Sequence, residues 1–440
     1  MKKECQRFLS CGILSQGFIR LHCYHCNSER LVAFSCKGRT LCPRCGGRRM
    51  SDTAAHLVDH IFKEVPVRQW VLSFPFRLRY LMAYDPNIQS RVLEITVRSI
   101  SSFYKQKAKR LGIASAETGA VTVIQRFGGS VNLNPHFHML FTDGVMKLGE
   151  FATMQVSDED VHFVCQRLKT RIIRALQKRG LWDKDDENFE LAQDKLALNQ
   201  MMGGSLQNRL AFGEKKGQKP AQVGKVIERP WALPSGPRMS YQDGFSLHAN
   251  VKIGRKNREG LERLARYVAR PAYAKDRVER GKEGQILWRL KKQWSDGTTH
   301  LRFSEEEFLE RLISLIPPPR INLIRYHGVF SPRHRERHLS IPQKKLKRPT
   351  LRDTERLEYR TPWAVLLKRV FKSEVLQCEK CKNKYEYVCE ITNPYIIKKM
   401  LTHLGFTIES VTPSPPRAPP CSIYATSGHE HDQRVSDDFF

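Results

Sequence analysis

Residues 67–74, 120–127 and 131–142 are apolar runs of strand length, and Gly128-Gly129-Ser130 between the last two predicts a hairpin turn. Strand alternation returns at 245–253, and a second hairpin is expected over 291–303, turning at Asp296-Gly297. Apolar positions at helical spacing mark 92–111, 159–180, 257–270 and 305–316, with a further helix-like stretch at 53–63. Pro271 stops the third of these helices, and the prolines at 317–319 stop the fourth. Strands joined by hairpins, with helices set between them, predict an α+β fold around a central antiparallel sheet.

Away from this centre the pattern thins. Residues 1–60 form a small basic head, rich in cysteine. The core spans 65–330, and within it 183–236 is rich in Gly, Lys, Gln and Pro and is read as a loop or insertion. Residues 333–356 hold nine Lys/Arg against three Asp/Glu, the composition of a basic linker, which as a charge run is a DNA contact or a solvated segment. A small module follows at 360–405. The stretch 411–440, with prolines at 413, 415, 416, 419 and 420, is expected to be disordered.

Charge changes this picture more than length does. Lys and Arg number 75 against 45 Asp and Glu, a formal net charge of +30, which calls for a polyanionic partner, most simply nucleic acid. No uncharged apolar run approaches the roughly 20 residues that cross a bilayer. Lys2 and Lys3 are followed by Arg7 and Arg20 rather than by an unbroken apolar stretch, so no secretory leader is read, and the expectation is a cytoplasmic protein with no membrane association.

Seven of the 12 cysteines fall within the first 45 residues, and in a reducing compartment such clustering points to metal rather than disulfides. Cys23-x-x-Cys26 and Cys42-x-x-Cys45 are two knuckles whose spacing lets four thiolates converge on one tetrahedral, structural Zn²⁺. Cys11 and Cys36 are left over, and His25 is a possible substitute ligand. Arg39, Arg44, Arg48 and Arg49 around the second knuckle would make it a DNA-gripping surface. Cys378-x-x-Cys381 is a further knuckle, followed nearby only by Cys389, and by itself is an incomplete site.

His136-Phe137-His138 lies in an apolar strand, and period-two alternation projects both imidazoles from one face, a geometry suited to two ligands of one divalent ion. On the helix 257–270, Leu261, Leu264 and Val268 form an apolar seam, and Tyr267 should emerge at its edge with Arg263 and Arg270 flanking it. These guanidinium groups would grip phosphates and favour a phenolate, which makes Tyr267 a candidate nucleophile.

The ordered blocks "LVAFSCKGRTLCPRCGGRRM", "WVLSFPFRLRYLMAYD", "VIQRFGGSVNLNPHFHMLFTDGV", "FSLHANVKI", "RLARYVARPAYA", "IPPPRINLIRYHGVFSP" and "CEKC…HLGF" resemble the rolling-circle insertion-sequence transposases of the His-hydrophobic-His class. The resemblance covers most of 11–405 apart from 183–236. It implies that His136 and His138 hold Mg²⁺ or Mn²⁺, and that Tyr267 attacks single-stranded DNA to form a 5′-phosphotyrosine and free a 3′-OH. Gln125, on the neighbouring strand, is favoured as third ligand over His248 or Asp243. Members with two catalytic tyrosines place them with three residues between; Arg263 and Pro271 occupy those positions here, so the chain resembles the single-tyrosine branch, with Tyr273 the weaker candidate for a second nucleophile. Arg325-Tyr326-His327-Gly328 matches a family block that is either a buried turn or a DNA contact. Two other readings share these residues: a replication initiator or relaxase, and a non-catalytic zinc-finger regulator that binds DNA without a divalent ion.

Overall fold

A computed structural model describes residues 2–182, 197–224, 236–342, 369–370 and 376–406. In chain order the elements are α1 (Lys2–Leu9), β1 (Phe18–Cys23), β2 (Ser28–Ala33), α2 (Pro43–His56), β3 (Val67–Ser73), α3 (Phe76–Tyr84), α4 (Pro86–Arg110), β4 (Gly119–Phe127), β5 (Leu133–Thr142), β6 (Gly144–Lys147), β7 (Glu150–Thr153), α5 (Asp158–Gln177) and α6 (Ala197–Leu206). They continue as β8 (Ala221–Gly224), β9 (Met239–Gln242), β10 (Phe245–His248), β11 (Lys252–Ile253), α7 (Arg258–Val268), β12 (Val278–Arg280), β13 (Ile286–Arg289), β14 (Thr298–Phe303), α8 (Glu305–Ser314), β15 (Ile324–Gly328), α9 (Arg337–Ser340), β16 (Glu386–Ile391) and α10 (Pro394–His403). The chain divides into two compact units: one joins the residues up to 56 with 269–275 and the described residues from 369 to 406, and the other holds the remaining described residues.

The larger unit is built on an antiparallel sheet in the order β15-β4-β5-β3-β10-β9, with β11 also pairing with β3. This is the α+β fold with a central antiparallel sheet that the patterning predicts. One face carries Trp70, Leu72, Phe74, Ile124, Phe137, Met139 and Phe141, which pack with Ile100 and Tyr104 of α4 and Leu168 and Ile172 of α5 into a single core. The helices start where their sequences specify. Asp85 accepts a hydrogen bond from the Asn87 N–H with Pro86 at the first helical position of α4, and Ser157 with Asp160 closes a capping box at α5. Beneath one end of the sheet, Asp143 is fully buried and takes Arg68 in a two-point ion pair at 2.7 and 3.0 Å, with Lys252 at 3.0 Å and the Tyr104 hydroxyl donating at 3.1 Å.

The block Arg325-Tyr326-His327-Gly328 is strand β15, at the sheet edge. A Cβ at Gly328, whose φ is +57°, would stand 1.8 Å from the Thr118 carbonyl oxygen, so the close pairing of β15 with β4 requires glycine there. His327 is hydrogen-bonded to the Thr122 hydroxyl at 3.0 Å, and burial pushes its pKa down to about 4. The block is thus a half-buried edge strand rather than a buried turn, and these contacts give it a structural role in the sheet.

Several expectations are corrected. Within 183–236, residues 197–206 form α6, whose Met202 and Leu206 are buried, and 221–224 form β8 at the edge of a second sheet, β12-β13-β14-β8; 183–196 and 225–235 lie outside the described residues. The two glycines at 203–204 hide the helical signal of α6, since glycine is a poor helix former, yet the helix packs Gly204 close to Ala211. The helix expected at 53–63 begins ten residues earlier, at Pro43, and a wider turn follows at 57–61.

In the smaller unit β1 pairs with β2 on one side and with β16 on the other. Residues 376–406 therefore do not form a module of their own: β16 is the third strand of the head's sheet, and Ile391, Ile397 and Leu401 pack on Phe18. Residues 343–368 and the proline-rich end at 411–440 lie outside the described residues.

Candidate active site and metal clusters

The second face of the central sheet carries the candidate chemistry. Cross-strand register aligns Gln125 with His136 and aligns His248, Val71, His138 and Val123 in one row, so these side chains share the face opposite the core. His136 Nδ1 lies 2.8 Å from the Asn134 carbonyl, which places the proton on Nδ1 and leaves Nε2 a lone pair. Gln69 Nε2, 2.7 Å from His138 Nδ1, holds the second ring, and turning the carboxamide end for end puts its oxygen there and leaves His138 Nε2 a lone pair as well. The two Nε2 atoms then stand 3.1 Å apart. Two ligands at right angles on an ion with bonds of about 2.1 Å would be about 3.0 Å apart, so the pair fits a single divalent cation.

Gln125 donates through Nε2 to the Val268 carbonyl at 2.7 Å, which leaves its buried Oε1 with no hydrogen-bond partner, an acceptor aligned with His136. His248 is buried on the same face but two strands from His138, with β3 between them. Asp243 sits in the turn before β10 and is ion-paired with Lys169. This geometry favours Gln125 among the three.

Helix α7 buries Leu261, Leu264, Ala265 and Val268, and Asn257 accepts from the Gly260 N–H at its start. Tyr267 stands half-buried at the edge of that face, its ring 5.9 Å from the His138 ring and perpendicular to it. Lys291, in the loop between β13 and β14, places Nζ 5.2 Å from the centre of the Tyr267 ring, and the sequence reading does not single it out. Nothing local to Lys291 distinguishes it from other surface lysines; only the fold brings it to the tyrosine.

The two arginines expected beside Tyr267 have different surroundings. Arg263 is exposed and pairs with Glu259 at 3.4 Å on its own helix. Arg270 is not part of the helix: α7 ends at Val268, because Pro271 disfavours a helical residue before it, and Arg270 is buried. Tyr273 is also buried, donates its hydroxyl to the Leu41 carbonyl, and has its pKa pushed up by burial and then by the neighbouring Cys42 and Cys36 sulfurs. A phenol so placed resists ionisation, which argues against Tyr273 as a second nucleophile.

The cysteines are regrouped by the fold. Cys23, Cys26, Cys42 and Cys45 do not converge on one point; they fall into two clusters, Cys11-Cys36-Cys42-Cys45 and Cys23-Cys26-Cys378-Cys381, in each of which all four sulfurs lie within 4.8 Å of one another. Sulfur–sulfur distances of 3.4 to 3.7 Å in the first, and 3.5 Å for both Cys23–Cys381 and Cys26–Cys378, are far from a disulfide bond and near the roughly 3.8 Å separation of thiolates around tetrahedral zinc. One thiol in each cluster is held down: Cys45 by hydrogen bonds from Cys36 and Cys42, and Cys378, at about 5, by the Cys381 backbone N–H. His25 is exposed and belongs to neither cluster. Around the first, Arg39, Arg48 and Arg49 are exposed and Arg44 is half-buried, with Arg49 donating to the Lys37 carbonyl.

Comparison with known proteins gives two family matches. Residues 119–338, half of the chain, match a family model described as "Putative transposase", and residues 1–74 match a "Transposase zinc-binding domain". The chain is 20% identical over 396 residues to "Transposase for insertion sequence element IS801" of Pseudomonas savastanoi pv. phaseolicola, covering 88% of this chain and 83% of that protein. It is 22% identical over 328 residues to "Putative transposase y4qJ" of Sinorhizobium fredii, covering 72% and 71%. No solved structure matches significantly. No helix among the described residues is long and apolar enough to cross a membrane.

Proposed function

Since this chain belongs to the transposase family that its core and its zinc-binding head match, we propose that it nicks and rejoins single-stranded DNA through Tyr267 and so moves an insertion element by a rolling-circle-like route. The observation that carries this reading is the convergence of His136 and His138 Nε2 at 3.1 Å beneath a perpendicular tyrosine ring. His136 Nε2, His138 Nε2 and Gln125 Oε1 would hold Mg²⁺ or Mn²⁺. Bound there, the ion polarises the scissile phosphate and offsets the charge that builds on it.

The chain's own groups do the rest. Asn134 and Gln69 keep the imidazoles aimed. Lys291 stabilises negative charge at Tyr267 and draws a phosphate toward it. The tyrosine oxygen bonds to phosphorus, the bond from phosphorus to the 3′ oxygen breaks, and the phenol proton ends on that oxygen as a 3′-OH. Attack by another 3′-OH reverses the step and rejoins the strand without an external energy source. Cys11, Cys36, Cys42 and Cys45 would hold the structural zinc of the head, from which Arg39, Arg44, Arg48 and Arg49 grip phosphates. The protein would work on the chromosome in the cytoplasm, with a net charge of +30 drawing it to DNA.

The test is incubation of the purified protein with labelled single-stranded DNA from the element's ends, in Mn²⁺ or EDTA, comparing wild type with Tyr267→Phe on a denaturing gel. A metal-dependent covalent adduct that disappears in Tyr267→Phe is expected. Cleavage that survives in the variant rejects Tyr267 as the nucleophile. DNA binding with no adduct under any metal condition supports a non-catalytic regulator instead.

A further inference from the structure

The geometry points to a second metal site, made jointly by the two ends of the chain: we infer that Cys23, Cys26, Cys378 and Cys381 bind one structural Zn²⁺. Two of these ligands lie within the matched zinc-binding domain and two lie more than 300 residues beyond it. The inference concerns the fold of the head and does not depend on the reaction at Tyr267.

Three features support it. First, the sulfurs are already gathered: Cys23 meets Cys381 and Cys26 meets Cys378, each at 3.5 Å. Second, the two knuckles share one backbone form. The residue after each pair, Asn27 at φ +53° and Lys382 at φ +64°, adopts the left-handed conformation, which is uncommon outside glycine and turns the chain back after the second cysteine. Lys382 N–H bonds back to the Cys378 carbonyl at 3.0 Å, and Cys378 N–H to the Asn383 carbonyl, closing the second knuckle. Strain of this kind in a lysine persists only where the surroundings hold it, and four thiolates on one ion supply such a constraint.

Third, the knuckles sit where the sheet needs them. Cys23 ends β1 and the Cys378 knuckle precedes β16, the two strands that pair. Around them the apolar cluster is small: Leu21, Cys23, Cys378 and Tyr385, with the Tyr385 hydroxyl hydrogen-bonded to Ser28 at 3.2 Å. The Arg30–Glu379 ion pair at 3.2 Å is solvent-facing on the Glu379 side and adds little. This cluster and the equally small one of Phe18, Ile391, Ile397 and Leu401 are the apolar contacts that join β16 to β1, and a tetrathiolate zinc would add a strong constraint between strands so distant in sequence. Residues 376–406 are thus part of the zinc head, and a protein truncated before Cys378 would keep one metal and lose the other.

Elemental analysis of the full-length protein tests this directly. Two zinc ions per chain are expected, falling to one in Cys378→Ser/Cys381→Ser and also to one in Cys42→Ser/Cys45→Ser. A single ion in the wild type that persists in Cys378→Ser/Cys381→Ser overturns the inference, as do two ions retained in that variant. Because the variants bear on folding, the wild type gives an independent reading. With zinc bound, alkylation of Cys23, Cys26, Cys378 and Cys381 should be at least tenfold slower than that of Cys5, which belongs to neither cluster, and a strong zinc chelator should abolish the difference for all four together. Cys378 and Cys381 reacting as fast as Cys5 in the zinc-loaded protein would reject the site.

Discussion

His136 and His138 are held on a strand whose every residue is buried, with a continuous apolar core behind them; the cysteine clusters are held by short strands, turns and the first turn of α2, with only a few apolar side chains nearby. In the sheet unit hydrophobic burial has already fixed the backbone that carries the two imidazoles, so a cation bound there as proposed would be added to a finished scaffold. In the head the relation is inverted. Its sulfurs gather only when chain segments far apart meet, so metal binding and folding are one event. On the proposed function, metal would be a reagent of the sheet unit, whereas in the head it would be a structural member.

Removing zinc should break this contrast most visibly. A strong chelator is expected to unfold β1, β2 and β16 while β4 and β5 keep their protection, an effect on the scale of about 10 kcal/mol for the head. Amide hydrogen exchange resolved by peptide checks it; parallel loss of protection in both units would contradict it. The opposite experiment is Asp143→Ala, which leaves Arg68 and Lys252 without their buried carboxylate. We expect it to destabilise the sheet unit by about 3–5 kcal/mol, seen as a lower denaturation midpoint, with zinc content unchanged.

Acid distinguishes the units more finely. The pKa of His327 is lowered from 6.5 to about 4, so the folded sheet unit keeps it neutral where the unfolded chain binds a proton. The stabilisation from this group is complete above pH 6.5 and lost as pH falls toward 4, a change of about 3 kcal/mol. Exchange protection of β4 and β15 between pH 7.5 and 4.5 would show it, and His327→Gln should flatten the dependence. The smallest effect expected is that of Gln69→Leu, which frees the His138 ring: a 10- to 100-fold weaker response to Mn²⁺ in the cleavage assay, with little change in denaturation midpoint.

Much of the sheet unit is legible in local pattern. Alternation around His136 and His138 specifies that both imidazoles share a face, and the Leu261, Leu264 and Val268 seam places Tyr267 at the helix edge; both are consequences of backbone period. The end of α7 shows where the pattern falls short. Arg270 looks like a surface neighbour of Tyr267 only if the helix continues to it, and Pro271 withdraws that turn. Lys291 and Gln69 are illegible for another reason: each reaches the site from a different strand or loop, and no short-range signal encodes the meeting.

The head draws the line most sharply. Its sequence by itself determines that cysteines come in metal-binding pairs, because a Cys-x-x-Cys knuckle is a local turn that presents two sulfurs. Each pair supplies only half of a tetrahedron, and which other cysteines complete it depends on what lies beside it in space. Sequence proximity joins Cys23 and Cys26 to Cys42 and Cys45; the pairing of β1 with β16 instead brings them Cys378 and Cys381, and leaves Cys42 and Cys45 to Cys11 and Cys36. Ligand type and spacing are properties of a few consecutive residues. The choice of partner is a property of the sheet, settled by hydrogen bonds between strands at opposite ends of the chain.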